Sequence, residues 1–339
     1  MNNQPLISTD DFSAHLRRKG IDLDSKRILI TNFQGTKQEE DLSEPANCEG
    51  FGRIRHFSRD TRPGWPLNPL PIDPASKRLG LSTSNKLRAQ VFQNAVCNWR
   101  CWYCYVPFDL LSGNLKHSDW LSASQIVDLY LKQSDPPAII DLSGGQPDLV
   151  PEWIPWMMDE LDRRGLSDQI YLWSDDNLSN DYFWKYLSES DRERVASHPN
   201  YGRVCCFKGF NADSFSFNTC ARPELFDRQF ELIRRLLSTG MDLYGYITIT
   251  TPTRDRIDDD IRTLFDRLQT LDERFPLRIV PLQVMEFTPV TPRLDGQKEL
   301  ALKNQWIAIE RWQREMEERF SVKDRSANIT DIILTRHKN

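Results

Sequence analysis

The chain has 339 residues, 39% of them apolar and 27% charged, with ten Trp, nine Tyr and seventeen Phe. That composition excludes a disordered, collagen-like or low-complexity chain and supplies a sizeable core, in one large α/β domain or two ordinary ones. Forty-four basic against 49 acidic residues leave a net charge of −5, so neither nucleic acid nor a membrane is expected as a partner. No apolar run reaches the length of a membrane span, and Met1–Asp11 lacks the basic, apolar and small-residue order of an export signal. A soluble, cytoplasmic protein is the expectation.

Residues 1–86 show little sustained periodicity and read as an N-terminal extension packed on the main body. Pro63, Pro66, Pro69, Pro71 and Pro74 predict an extended or looping course there, not a helix. Trp65 and Leu67, interleaved with them, predict an arm laid against the core. Between Gly50 and Gln90 the basic residues Arg53, Arg55, Arg59, Arg62, Lys77, Arg78, Lys86 and Arg88 face only Asp60 and Asp73. Guanidinium forks match phosphate geometry, so a nucleotide or phosphorylated small molecule is one reading; arginines paired with an acidic body is the other.

From Leu87 onward, short apolar runs alternate with stretches of helical period, the pattern of parallel βα units. Strands are expected at Leu87–Gln93, Ala138–Leu142, Gln169–Ser174, Arg203–Phe207, Leu243–Thr250 and Leu277–Val284. Helices are expected at Ser122–Gln133, Glu152–Arg164, Asp181–Leu187, Pro223–Ser238 and Ile257–Leu271, the first opened by a capping box of Ser122 and Gln125. Leu302, Trp306, Ile309, Trp312, Met316 and Phe320 recur at spacings of three and four, so residues 296–339 hold a closing amphipathic helix and a tail. Six βα units fit a doubly wound sheet or an incomplete barrel, and periodicity does not choose between them. Both put ligand chemistry at the C-terminal ends of the strands.

The first strand is followed by Cys97-Asn-Trp-Arg-Cys101-Trp-Tyr-Cys104, a C-x3-C-x2-C loop. Seven cysteines, an odd number, do not suggest a secreted disulfide framework. Three thiolates on one loop suit zinc, copper(I) or an iron–sulfur cluster. Structural zinc usually takes four protein ligands, whereas a cubane on three cysteines keeps one iron open. The remaining Cys48, Cys205, Cys206 and Cys220 contain no C-x2-C pair and read as small buried hydrophobes. His15, His56, His117, His198 and His337 are scattered, with no pairing that suggests a second metal centre. Trp99, Trp102, Tyr105 and Phe108 are placed to shield the loop from solvent.

The cysteine loop, with the aromatic Tyr103 before its third cysteine, resembles that of the radical SAM superfamily. Ser143-Gly144-Gly145-Gln146-Pro147, after the second strand, resembles the family's S-G-G-E-P turn, with Gln146 where Glu is usual. The likeness covers about residues 87–295. It implies an incomplete (β/α)6 TIM-like barrel, with Cys97, Cys101 and Cys104 holding a [4Fe-4S] cluster. It further implies an enzyme in which S-adenosylmethionine (SAM) is reductively cleaved to a 5′-deoxyadenosyl radical that abstracts hydrogen from a protein, peptide or small-molecule substrate. A reductant such as flavodoxin or ferredoxin is then a partner. Within the family the chain looks like the glycyl-radical activating branch, whose fourth strand ends in Asp-x-Lys. Here Cys206-Phe207-Lys208 keeps only the lysine. By that likeness Tyr103, Ser143, Gly144, Gly145, Gln146, Ser174, Asp175 and Lys208 are expected around SAM, whereas no catalytic residue is assigned. For Asp175 and Asp176, capping of the next helix is the plain alternative. The competing class is a non-catalytic iron–sulfur module for electron transfer or metal binding.

Overall fold

Strand order decides between the two architectures that periodicity allowed. In the computed structural model, which describes residues 6–82 and 84–335, six strands lie parallel in chain order in one sheet. A doubly wound sheet reverses direction at a switch point; this one does not, and it curls into an incomplete (β/α)6 barrel. His337 and the end of the C-terminal tail lie outside the described residues.

The chain opens with α1 (Thr9–Gly20), β1 (Ile21–Asp22), β2 (Arg27–Thr31), β3 (Gly52–Ser58) and α2 (Ile72–Leu79). Then follow β4 (Lys86–Gln93), β5 (Ser118–Ser122), α3 (Ala123–Leu131), β6 (Ile139–Ser143), α4 (Trp153–Arg163) and β7 (Tyr171–Asp176). The second half runs α5 (Tyr182–Tyr186), α6 (Glu189–Ser197), β8 (Tyr201–Phe207), α7 (Ala212–Thr219), α8 (Leu225–Ser238), β9 (Leu243–Thr248), α9 (Ile257–Leu271), β10 (Ile279–Leu282), α10 (Gly296–Arg319) and α11 (Val322–Ser326). The large sheet has the order β10-β9-β8-β7-β6-β4-β3, and only β3 is antiparallel to its neighbour; β1, β2 and β5 form a separate small sheet. No helix among the described residues is long and apolar enough to cross a membrane.

The helices earn their places by ordinary means. In α8, Phe226, Phe230, Ile233 and Leu237 recur at three and four and are buried against the sheet. The Ser122–Gln125 capping box of α3 is formed in both directions, at 3.2 and 2.9 Å. A second capping box, Asn211 with Ser214, starts α7, a helix that the sequence pattern does not announce, and the same is true of α6.

The extension is more regular than its prolines suggest. Helix α2 starts directly after Pro71 and holds Pro74 in its first turn, where a missing N–H removes no intrahelical bond. Trp65 is buried, donates its Nε1–H to Pro281 O at 2.9 Å and meets Trp306 edge-on, whereas Leu67 stays exposed. Strand β3 is part of the barrel sheet itself, hydrogen-bonded to β4 from Gly52↔Phe92 to Ser58↔Lys86.

Candidate functional site

Alternation along the strands sorts their residues onto two faces. Ile28, Phe92, Ile140, Leu142, Leu172, Cys205, Phe207 and Ile247 face the helices. The inner face begins at the N-terminal ends of the strands with Phe57, Ala89, Ile139, Tyr171, Trp173, Tyr244 and Val280. Leu70, Ile72 and Ala75 at α2, and Ile329 from the chain's other end, pack across them as a floor. Toward the C-terminal ends the inner face turns polar. Strand register places Arg53, Val91 and Asp141 at one level on three adjoining strands, and Asp175 and Cys206 continue that face on β7 and β8.

Above this level sits the cysteine loop. Cys97, Cys101 and Cys104 are free thiols, each half-buried. The loop is held from outside by two guanidinium groups: Arg100 donates to Cys97 O at 2.6 Å and Trp99 O at 2.9 Å, and Arg293 to Cys104 O at 2.6 Å and Val106 O at 3.0 Å. Trp102 donates its indole N–H to Asn218 at the end of α7. Trp99 and Trp102 are buried, and Tyr105 and Phe108 pack beside Cys97 and Cys104. Burial pushes all three thiols up, Cys101 to about 12, while the charge of Lys208 acts against it on each. Arg100 at Cys97 and Arg293 at Cys104 act in the same direction as the lysine. Left to themselves the buried thiols are therefore neutral, and a metal centre would have to draw them to thiolates with the help of these cations. Among the described residues no three His, Cys, Asp or Glu side chains converge on one point as a single ion requires. Three thiols on one loop leave a fourth position open, a donor set that suits a cubane keeping one iron free better than a structural zinc.

The Ser143-Gly144-Gly145 turn meets this loop directly. Gln146 donates its backbone N–H to Val96 O at 2.8 Å, and Asn94 Nδ2 donates to Gln146 O at 2.9 Å. Gly144 and Gly145 both have positive φ, +73° and +63°. A Cβ on Gly145 would meet the carbonyl oxygens of Asn94 and Val96, and one on Gly144 the Gln93 side chain. The glycines are therefore required first by their positive φ and, at Gly145, by neighbouring backbone, before any ligand approaches. Ser143 is buried between the Asp141 and Asp175 carboxylates without a well-formed hydrogen bond to either.

Gln146 and Ser174, two of the residues expected around SAM, have protein partners of their own. Gln146 is buried, donating Nε2–H to Asp176 Oδ1 at 3.0 Å and accepting from the Asn177 N–H at 2.9 Å, so its amide ties the β7 end to the cysteine loop. Ser174 points to the helix side, where its hydroxyl lies 2.7 Å from that of Tyr201. Strand alternation separates it from Asp175, which faces inward. Asp176 lies on the helix side with Asp148 and the fully buried Arg203, whose Nη1 donates to Asp148 at 2.9 Å. Neither Asp175 nor Asp176 caps a helix: α5 starts after Asp181.

Tyr103 reaches inward, its hydroxyl 3.0 Å from Thr248 Oγ1. Lys208, half-buried at the end of β8, lies near Tyr103, Cys206, Cys101 and Asp175. Burial opposes its charge, and Asp175 is the carboxyl group among these neighbours that acts the other way. Burial, with Asp175 beside it, raises Asp141 to about 7 despite Arg55 and Arg53; burial also raises Asp175. The basic stretch of the sequence divides here. Arg53 and Arg55 face the lumen, while Arg59 pairs with Asp73, Lys77 with Asp331 and Arg88 with Asp135. Sequence reasoning missed Asp141. Its only signal was a lone carboxylate inside Ile139-Ile-Asp-Leu-Ser, two residues before the Gly-Gly turn.

No family model and no curated protein matches the chain. Among solved structures it is similar to Streptococcus suis SuiB bound to S-adenosylmethionine, at 16% identity and a TM-score of 0.43, over 65% of this chain and 46% of that one. It is also similar to the tagged form of anSMEcpe with bound AdoMet, at 12% identity and a TM-score of 0.39, over 57% and 48% of the two chains. The chain thus spans about half the length of the structures it matches.

Proposed function

We propose that the chain is a radical SAM enzyme, with a [4Fe-4S] cluster held by Cys97, Cys101 and Cys104. One observation carries this reading: the three-cysteine loop and the Ser143-Gly144-Gly145 turn meet at the C-terminal mouth of a (β/α)6 half-barrel, joined by the Gln146 N–H to Val96 O bond. When bound, the cluster would supply the electron that cleaves SAM to methionine and a 5′-deoxyadenosyl radical. The chain's own residues bind and shield. Lys208 offers a cation for the SAM carboxylate, Gly144 and Gly145 offer backbone groups to the methionyl end, and Tyr103 and Trp102 wall the loop from water. Gln146 acts as a positioning residue. Asp175 is left free to accept from hydroxyl or ammonium groups, whereas Ser174 has no part.

The narrower likeness to glycyl-radical activating enzymes rests on Lys208 alone, since Cys206 stands where that branch has Asp. A flavodoxin- or ferredoxin-type electron donor belongs to the same reading, and the substrate is a protein, a peptide or a small molecule. The test is anaerobic reconstitution with iron and sulfide, followed by chromatography after adding SAM and dithionite. Formation of 5′-deoxyadenosine by the wild type, and loss of both it and the brown chromophore when the three cysteines are changed to Ala, is the expected outcome. An intact cluster without cleavage would instead favour a non-catalytic iron–sulfur module. Stoichiometric iron and sulfide in the triple variant would remove the ligand assignment.

A further inference from the structure

The inner face below the cysteine loop carries charge that the protein does not satisfy. Asp141 is fully buried, yet neither of its carboxylate oxygens has a well-formed hydrogen bond; the same holds for Asp175 Oδ1, and the one Ser143 hydroxyl beside both carboxyl groups can serve at most one of them. Opposite them on β3, Arg55 reaches Asp141 only at ion-pair distance, Nη1 to Oδ2 3.5 Å. Arg53 donates one N–H to Tyr105 OH at 3.0 Å and keeps its buried Nε without a partner. Folded proteins pair nearly all their buried polar groups, because an unpaired one forfeits its hydration without return. Here unpaired acceptors and under-used donors face each other across one lumen. The side chain of Arg55 is 31% exposed, so this level of the inner face is in contact with solvent. The floor at α2 and Ile329 packs across its far end.

We infer that this lumen is the substrate subsite, built for a small molecule that brings an anionic group to Arg53 and Arg55 and an N–H or O–H donor group to Asp141 and Asp175. A free amino acid, with carboxylate and ammonium, and a phosphorylated alcohol such as a nucleotide, with phosphate and hydroxyl, share that chemistry. Two guanidinium forks on alternate residues of one strand give bidentate recognition of either anion. The inference deepens the radical SAM reading by naming its substrate class, but it uses residues outside the cysteine loop.

It is tested on the purified, cluster-free chain, by thermal shift and titration calorimetry. The probes are free L-amino acids, nucleoside 5′-monophosphates and inorganic phosphate, with amino-acid amides and nucleosides as controls lacking the anion. Saturable stabilisation by one anionic class and not by its control is expected, and the class that responds distinguishes the two sources. Arg55→Gln and Asp141→Asn should each weaken that binding about tenfold or more, as loss of a charge-assisted hydrogen bond does. Arg55→Lys, which keeps the charge and loses the fork, should weaken it less than Arg55→Gln. Arg62→Gln, on the exposed surface, should leave it unchanged. No saturable effect of either class at 10 mM on the scale of ordinary metabolite affinities, roughly 1 μM to 1 mM, overturns the inference. So does equal binding by the folded Arg55→Gln chain. Because the readout needs no cluster, failure of SAM cleavage and failure of the subsite are separate results.

Discussion

Gly145→Ala is the sharpest probe of how the Gly-Gly turn and the cysteine loop are joined. The new Cβ would stand 2.5 Å from Val96 O and also inside contact distance of Asn94 O, both main-chain atoms that cannot swing aside. Its φ of +63° adds about 1–2 kcal/mol for a left-handed residue with a side chain. Overpacking against backbone adds about 1–3 kcal/mol, and loss of the adjoining Gln146 N–H to Val96 O bond about 1 kcal/mol. The sum is about 3–6 kcal/mol, a large part of a domain's stability of roughly 5–15 kcal/mol. Gly165 supplies the control: its φ is +68° but nothing lies within 4 Å of where its Cβ would stand, so Gly165→Ala should show the backbone cost alone, about 1–2 kcal/mol. Urea unfolding of the two variants measures both. Equal destabilisation would refute the argument that the turn is packed against the cysteine loop.

Gln146→Glu should harm the protein: a carboxylate replaces the amide that donates to Asp176 at 3.0 Å, costing about 2–4 kcal/mol in urea unfolding, and Asp176→Asn should recover most of it. Asp141, raised by burial to about 7 from an unfolded value of 3.8, favours the fold fully below about pH 4, and that contribution is lost as pH rises through 7. Asp141→Asn should therefore flatten the melting temperature against pH over that window and raise it at pH 8. Arg203→Met leaves Asp148 and Asp176 buried without their cation and should cost about 3–5 kcal/mol at pH 8; a cost under 1 kcal/mol would show that the network contributes little.

The barrel was legible because its six parallel strands are buried on both faces and therefore read as apolar runs. The cysteine loop and the Gly-Gly turn were legible because the spacing of thiols and the need for positive φ are written in single residues. Strand β3 was hidden for the opposite reason. Gly52–Ser58 alternates correctly, but its inward positions are Arg53 and Arg55, so a strand looked like a basic patch. The lumen is polar at that level, which inverts the usual sign of the pattern. Helix α2 was concealed by Pro74, harmless only because it falls in the first turn. The side of the sheet that Ser174 faces was not legible, because a motif names residues but not faces: one step along β7 separates it from Asp175. Nor was the engagement of the Gln146 amide by Asp176 and Asn177, which no spacing reveals.

The floor made by α2 and Ile329 packs across the end of the sheet away from the cysteine loop. On the proposed reading, that gives the two ligands an order. A guest at the level of Arg53 and Asp141 would enter before anything that settles over the cysteine loop and leave after it. The upper ligand would then lengthen the residence of the lower without any favourable contact between the two, and a slower release of the lower ligand in the presence of the upper one is the expected signature.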